Sequence, residues 1–451
     1  MNRNRTVSLS VAALGLVGLV AWSAPQPPPV LAGPVAIASL PHQITAPGSY
    51  VLTGNLTANP GEAGIEVLAH GVVIDLCGFT LRGAGQAAAS RGIWGAASHV
   101  EVRNGTIENW AFSGISLSRG AKIRDLRIRD CGGYGLDLSH YATVEDCLVE
   151  DNALGGIRTL RYGNITDCGV QGVPETPGVQ TTGYAVVERV TSIGSGTGFL
   201  IGEGTKVSDC SAKDFVDFGF RSTEDVSLER CTADVVTVAS GVGFSLGDYS
   251  DLDRCVAIQG LNIGIETGDF CSLTHCKVKE AQGPGMVVGE GTIVSACVVS
   301  SANQEEHPGG GGFLVGSQVQ VHDSIAARNG GSGFRYTGTG GRVERSIAYR
   351  NSGHGFALLG NTTVQDNLGS ENGGAGFRVD GGGVVLRENL ADVNGDGIVV
   401  RGRRNLVIDN RASNNAGEDF DVPYGNPRGV ILDVAGQLNP SQPEANYETP
   451  F

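Results

Sequence analysis

Val343-Glu-Arg-Ser346-Ile-Ala-Tyr-Arg-Asn351-Ser-Gly353-His-Gly355-Phe-Ala-Leu358 decides the fold. Its apolar residues fall two apart in short runs, and Asn351, Gly353 and Gly355 break the runs. That is the pattern of short strands joined by tight turns. The phrase recurs: an apolar residue, two polar residues, a rung, any residue, then a small apolar residue. It appears as Val-Glu-Asp-Cys147-Leu-Val, Leu-Glu-Arg-Cys231-Thr-Ala and Leu-Arg-Glu-Asn389-Leu-Ala. The rungs start at Gly105 and Leu126, pass through Cys147, Cys168, Val190, Cys210, Cys231, Cys255, Cys276 and Cys297, and end at Ser324, Ser346, Asn367, Asn389 and Asn410. A repeat of about 21–22 residues is a solenoid signature.

Other positions keep the same period. Three residues before each rung stands Val, Ile or Leu. After the turn glycine stands an inward residue such as Ile115, Leu136, Phe199, Phe244, Phe313 or Phe377. Five residues past the rung runs a second polar ladder, Asn329, Asn351, Asn372, Asn394 and Asn415. Asn tolerates left-handed bends, and its amide can bond to the coils above and below. The expectation is an all-β, single-stranded, right-handed parallel β-helix of about 15 coils, right-handed because parallel crossovers are. At about 4.8 Å per coil the rod is on the order of 70 Å long. Open ends invite edge pairing, so both need caps. Residues 33–75 are assigned to the N-terminal cap, 76–420 to the β-helix and 421–451 to the C-terminal cap and tail.

Composition fits. Gly is 70 of 451 residues and aromatics are 6%, which suits many tight turns. The net charge of −15 argues against a nucleic-acid partner. Residues 1–32 read as a signal peptide or an uncleaved N-terminal anchor: Arg3 and Arg5, an apolar run from Val7 to Ala21, then a proline-rich spacer. The expected location is therefore exported, whether extracellular, periplasmic or on the cell surface, with membrane contact only through that segment. Stacked coils hold like side chains in parallel, which suits a disulfide poorly, so most of the seven rung cysteines are expected to be buried thiols. Cys131 and Cys271 stand apart from that series.

The repeated Gly-Phe/Ile with Val-x-x-Asn-x-Ala-x-x-Asn-Gly resembles the right-handed parallel β-helix superfamily that includes pectate lyases and polygalacturonases. The start at Ile44-Thr-Ala-Pro-Gly-Ser-Tyr-Val-Leu, followed by Val73-Ile-Asp-Leu-Cys-Gly-Phe-Thr-Leu, resembles exported bacterial proteins of that superfamily. The resemblance covers roughly residues 44–435 and implies fold more than activity. Polygalacturonases carry paired aspartates with Gly-His-Gly. Here Gly353-His354-Gly355 stands without them, and His354 reads as a solvated turn residue. The Arg-x-Pro-x-x-Arg of pectate lyases is absent.

Three groups of candidate residues follow. In that superfamily the face after the inward Phe or Ile lines a substrate groove, which makes Asp137, Arg158, Arg221 and Glu266 candidate substrate ligands. Arg335 and Arg378, two coils apart, could bracket sugar carboxylates. The insertion Glu305-Glu306-His307 could supply acid–base or metal-binding groups. Asp125, Asp146 and Asp167 stack immediately before consecutive rungs, with calcium as the candidate ion. For each group the alternative is a solvated polar surface, with Asp137 and Arg158 simply pairing and the insertion a flexible loop. The favoured reading is a surface that binds polysaccharide or cell-envelope material, since no complete catalytic constellation is visible and few aromatics occupy outward slots. The alternative is a lyase, hydrolase or epimerase acting on acidic polysaccharide, which requires Arg335, Arg378 and the Glu305–His307 loop to share one groove.

Overall fold

The computed structural model describes residues 33–85, 90–235, 241–303, 310–433 and 444–448. The expected export segment, residues 1–32, and the Glu305-Glu306-His307 insertion lie outside them. Val35–Phe451 separates from Met1–Pro34 as a compact unit. Among the described residues every regular element is a strand, and no helix is long and apolar enough to cross a membrane.

One coil shows the design. Arg342–Glu344, Ile347–Tyr349 and Phe356–Leu358 are its three strands, and they lie on what we call faces one, two and three. Each pairs in parallel with its equivalents on both neighbouring coils. Val343 sits between Val321 and Val364, Ile347 between Ile325 and Leu368, and Phe356 between Phe334 and Phe377. A single residue at positive φ turns the chain at each corner: Arg345 at 46°, Arg350 at 54° and Asn361 at 48°. The residue after each corner, Ser346, Asn351 or Thr362, points inward and is buried.

The parallel β-helix is therefore as expected, with one more regular corner than the sequence displays. The third inward ladder has no constant side chain. It runs through Val100, Ala142, Thr205, Cys271 and Val384 to Asn405 and Asn426, all buried. Cys271 belongs to this ladder and Cys131 to the second, and the third cysteine outside the rung series, Cys77, is itself a left-handed corner residue at φ 53°. All ten cysteines are free thiols, nine of them buried and Cys77 exposed.

Face three stacks eighteen parallel strands from His42–Ile44 to Phe420–Asp421, so the solenoid has about 17 turns, slightly more than expected. The extra turns come from the N-terminal region, where Tyr50 lies opposite Ile74 and Gln43 opposite Glu66 in coil register. Val35–Ile37 pairs with Tyr50–Leu52 at that end. At the other end Asn446 continues the first ladder beyond Asn410, whose backbone and side-chain N–H groups both donate to its Oδ1, at 3.1 and 3.2 Å.

Inside face three, rings stack along the axis. Phe313, Phe334, Phe356 and Phe377 have centroids 4.7–4.9 Å apart and lie nearly parallel. The coil spacing imposes this face-to-face contact, and burial of each ring contributes roughly 2–3 kcal/mol. The packed interior leaves the outward columns as the place for ligand contact.

Candidate functional site

Strand register lines up the outward column of face three residue by residue. Its N-terminal part reads Trp94, Ser116, Asp137, Arg158, Gln180. Arg158 Nε donates to Asp137 Oδ1 at 2.8 Å, and the guanidinium lies 4.4 Å from the Tyr134 ring centroid. The Tyr134 hydroxyl lies 3.3 Å from Gln180 Oε1. Asp137 and Arg158 thus form a neutral pair beside an aromatic ring. Farther along, Arg221 lies 4.7 Å from the Phe218 ring, and Glu266 follows two coils on with Ser245 between.

The C-terminal part of the column reads Leu314, Arg335, Ala357, Arg378, Val399. Ala357, one coil from each arginine, floors a gap between them. Arg335 is exposed and has no ion pair or hydrogen bond among the described residues. Arg378 Nε donates to both oxygens of Asp380, at 3.0 and 3.1 Å, which leaves its terminal amino groups free of that contact.

His354 lies on the coil between these arginines and is not the solvated turn residue the sequence suggests. Its ring is half-buried, and Nδ1 accepts the Ala375 N–H at 2.9 Å. A Cβ at Gly374 would strike the ring, so the next coil makes room for it with glycine. Burial, followed by the positive Arg378, pulls the imidazole below the ordinary histidine pKa. In the neutral ring an acceptor at Nδ1 fixes the proton on Nε2. His354 is therefore a hydrogen-bond donor at Nε2, with no lone pair there to act as a base. The insertion containing Glu305, Glu306 and His307 lies outside the described residues. Its flanks, Asn303 and Gly310, join the second corner to the Gly311–Val315 strand of face three.

Asp125, Asp146 and Asp167 each occupy the single left-handed residue of the first corner, at φ 53°, 51° and 54°. That conformation explains the recurrence of Asp in the slot. Both oxygens of Asp167 are held by Arg189, at 2.6 and 2.7 Å, and this contact keeps the carboxyl below its usual pKa. Arg124 lies 3.5 Å from Asp125. Among the described residues no three His, Cys, Asp or Glu side chains gather to hold a metal ion.

Sequence reasoning missed the outward aromatics of the third corner. Tyr141, Tyr162 and Tyr184 occupy its left-handed position on consecutive coils, and their rings stack at 4.9 and 5.6 Å. Tyr249 and Phe270 repeat the arrangement at 5.6 Å. Spacings of 21 and 22 residues were the available signal. Stacking along the rod occupies the ring faces and leaves mainly edges to solvent, so these rings are poor platforms for a sugar.

The family model described as right handed beta helix region matches residues 44–172 and 261–415, and the chain belongs to that family. Among solved structures, the A-module of a mannuronan C-5 epimerase from Azotobacter vinelandii is 13% identical, covering 78% of this chain and 90% of that one at a TM-score of 0.30. The catalytic domain of an alpha-1,3-glucanase is 11% identical over 76% of this chain and 66% of its own, at 0.34. A tailspike capsular polysaccharide depolymerase of Acinetobacter baumannii bacteriophage Fri1 is 9% identical over 73% and 56%, at 0.30. None superposes closely enough to carry information on activity. Comparison with curated proteins gives no match.

Proposed function

We propose that this chain is an exported solenoid that binds an acidic polysaccharide along face three, with the Arg335–Ala357–Arg378 gap as the principal anion contact. The observation that carries the reading is Arg335, an exposed guanidinium without a counter-ion among the described residues of a chain whose net charge is −15. Most other arginines of the rod meet a carboxylate or a ring. A sugar carboxylate between Arg335 and Arg378 supplies the missing partner and can be bound bidentately. His354 Nε2–H adds a neutral donor at the edge of the same face. A chain aligned with the rod meets one coil about every 4.8 Å, so contacts repeat along the groove.

The test is affinity electrophoresis or calorimetry with polyuronates of different linkage, and with neutral glucans as controls. Arg335→Ala and Arg378→Ala are each expected to weaken polyuronate binding about tenfold, the loss of roughly one charge-assisted contact. Equal binding of neutral and acidic polymers, or binding unchanged in both variants, would sink the reading. Assays for new reducing or unsaturated ends, with and without calcium, separate a binding surface from the enzyme alternative.

A further inference from the structure

The third corner carries charge in an ordered series, only part of which local hydrogen bonds explain: Asp248 and Asp269 each accept the backbone N–H one coil on, at 2.8 and 2.7 Å, and Glu203 accepts the Tyr184 hydroxyl at 2.6 Å. The residue just before its left-handed position is Arg119, His140 and Arg161 on three successive coils, then Gly183. Glu203, Glu224, Asp248, Asp269 and Glu290 follow on the next five. Inter-coil backbone hydrogen bonds tie this column together, including Gly120 N–H to His140 O, Tyr162 N–H to Gly183 O and Tyr184 N–H to Glu203 O. Like charges one coil apart repel. Among the described residues of this column Arg161 and Glu203 are the one oppositely charged pair that meets, at 3.9 Å. Arg119 rests on the Tyr141 ring, and Glu224 and Asp248 have no cation among the described residues.

Taken about Gly183, the column is its own complement. Three coils before it stands Arg119 and three after it Asp248. Two coils out stand His140 and Glu224, and one coil out Arg161 and Glu203. The neighbouring outward column of face one is complementary about Val186 at its ends only. Its register runs Lys122, Thr143, Asn164, Val186, Lys206, Ser227, Asp251, so lysine faces aspartate at three coils, Thr143 faces Ser227 at two, and the Asn164 amide faces Lys206 at one. The two residues at the centre, Tyr184 and Val186, are apolar surface groups, 39% and 43% exposed. Asp251 is held above the usual carboxylate pKa by burial and by Asp225, an excess of negative charge that a cation would relieve.

We propose that this corner is a self-association surface: a second copy of the chain docks antiparallel, with the two-fold axis crossing the rod at Gly183 and Val186. Arg119 then faces Asp248 of the second copy, His140 faces Glu224, Arg161 faces Glu203 and Lys122 faces Asp251, each pair occurring twice. Val186 meets its own copy at the centre. The contact spans six coil steps, about 29 Å. It is narrow, which puts it with weak interfaces below roughly 1,200 Å². An antiparallel contact is isologous and closes as a dimer, whereas a parallel contact staggered by four coils would match the same charges but grow into a filament.

Sedimentation equilibrium of the full chain at low ionic strength tests this. A reversible monomer–dimer equilibrium in the micromolar range is expected. Arg119→Asp should raise the dissociation constant at least tenfold, and Asp248→Arg should do the same. The double variant R119D/D248R should restore it, because both cross-pairs are re-formed with inverted sign. Val186→Cys should cross-link to its own copy under mild oxidation, while Lys279→Cys on face two should not. Monomer at all concentrations, a dimer indifferent to the single reversals, no rescue in the double variant, open-ended growth, or charge reversals that only change retention on a basic peptide matrix would each overturn the proposal.

Discussion

The first inward ladder is built twice, with different chemistry in the two halves of the rod. From Cys147 to Cys297 most rungs are thiols. From Asn367 to Asn446 they are amides. Both halves face the same problem: the rung sits just after a corner, where its backbone N–H lacks a strand partner. In the amide half the next rung answers it. Asn389 Oδ1 accepts the Asn367 N–H at 3.1 Å and its Nδ2–H at 3.0 Å, while Asn389 Nδ2 donates to Val364 O at 2.9 Å. In the thiol half sulfur is a weak acceptor, as in Val190 N–H to Cys210 Sγ at 3.4 Å, and each thiol donates to the carbonyl two residues back. Ser324 and Ser346 form the junction, with Ser346 N–H donating to Asn367 Oδ1 at 2.9 Å. One backbone thus tolerates an apolar filler or a continuous hydrogen-bonded ladder. The second locks register more tightly, because every member needs its neighbours.

The largest effect should come from breaking the amide ladder. Asn389→Leu leaves two buried N–H groups of Asn367 unpaired and removes the side-chain donor to the Val364 carbonyl, a cost of about 3 kcal/mol. Hydrogen exchange should show the loss concentrated in the coils around Asn367 and Asn410. Protection unchanged there would refute the cooperative ladder. Grafting the same chemistry into the other half comes next. Cys231→Asn finds the Cys210 N–H for its oxygen and the Val207 carbonyl for its amide, but only sulfur for its remaining donor, so a loss of about 1–3 kcal/mol is expected. Cys231→Ala only removes a sulfur from a packed stack and should cost about 1–2 kcal/mol in denaturant unfolding. If the alanine variant proves worse than the asparagine one, the halves differ by more than side-chain chemistry.

A histidine-linked pH effect is expected in the amide half. His354 has a depressed pKa in the fold, so protonation favours the unfolded coil. Its contribution is present above the ordinary histidine value and fades as pH falls through that value and the lower folded one. Local exchange around Ala375 should quicken on acidification, and His354→Gln should flatten the change. The smallest effect should be at the third corner. Tyr162→Gly loses ring stacking worth about 1 kcal/mol but relieves a bulky residue at positive φ, so net stability should move by less than about 0.5 kcal/mol.

Much of this was legible in the chain. Phe313, Phe334, Phe356 and Phe377 keep one period and one residue type, so their stacking follows from the repeat. Ser346, Asn367 and Asn389 mark the first corner because polar inward residues recur there. The candidate site was legible only in part. Arg335 and Arg378 could be placed on one outward column by counting. The burial of His354 could not, because it depends on a glycine one coil away.

What the sequence determined alone is the period, the inward faces and two of the three corners, since each demands a particular kind of side chain at a fixed interval. The third corner accepts Tyr, Phe, Gly, His, Gln, Asp, Asn or Arg at its left-handed residue, because inter-coil hydrogen bonds such as Tyr162 N–H to Gly183 O impose the bend. Only the stacked structure therefore decided which outward side chains become neighbours. Those contacts lie one or two coils apart in space and about 20 or more residues apart in the chain, and they place the free charge of Arg335 and the ordered charges from Arg119 to Glu290.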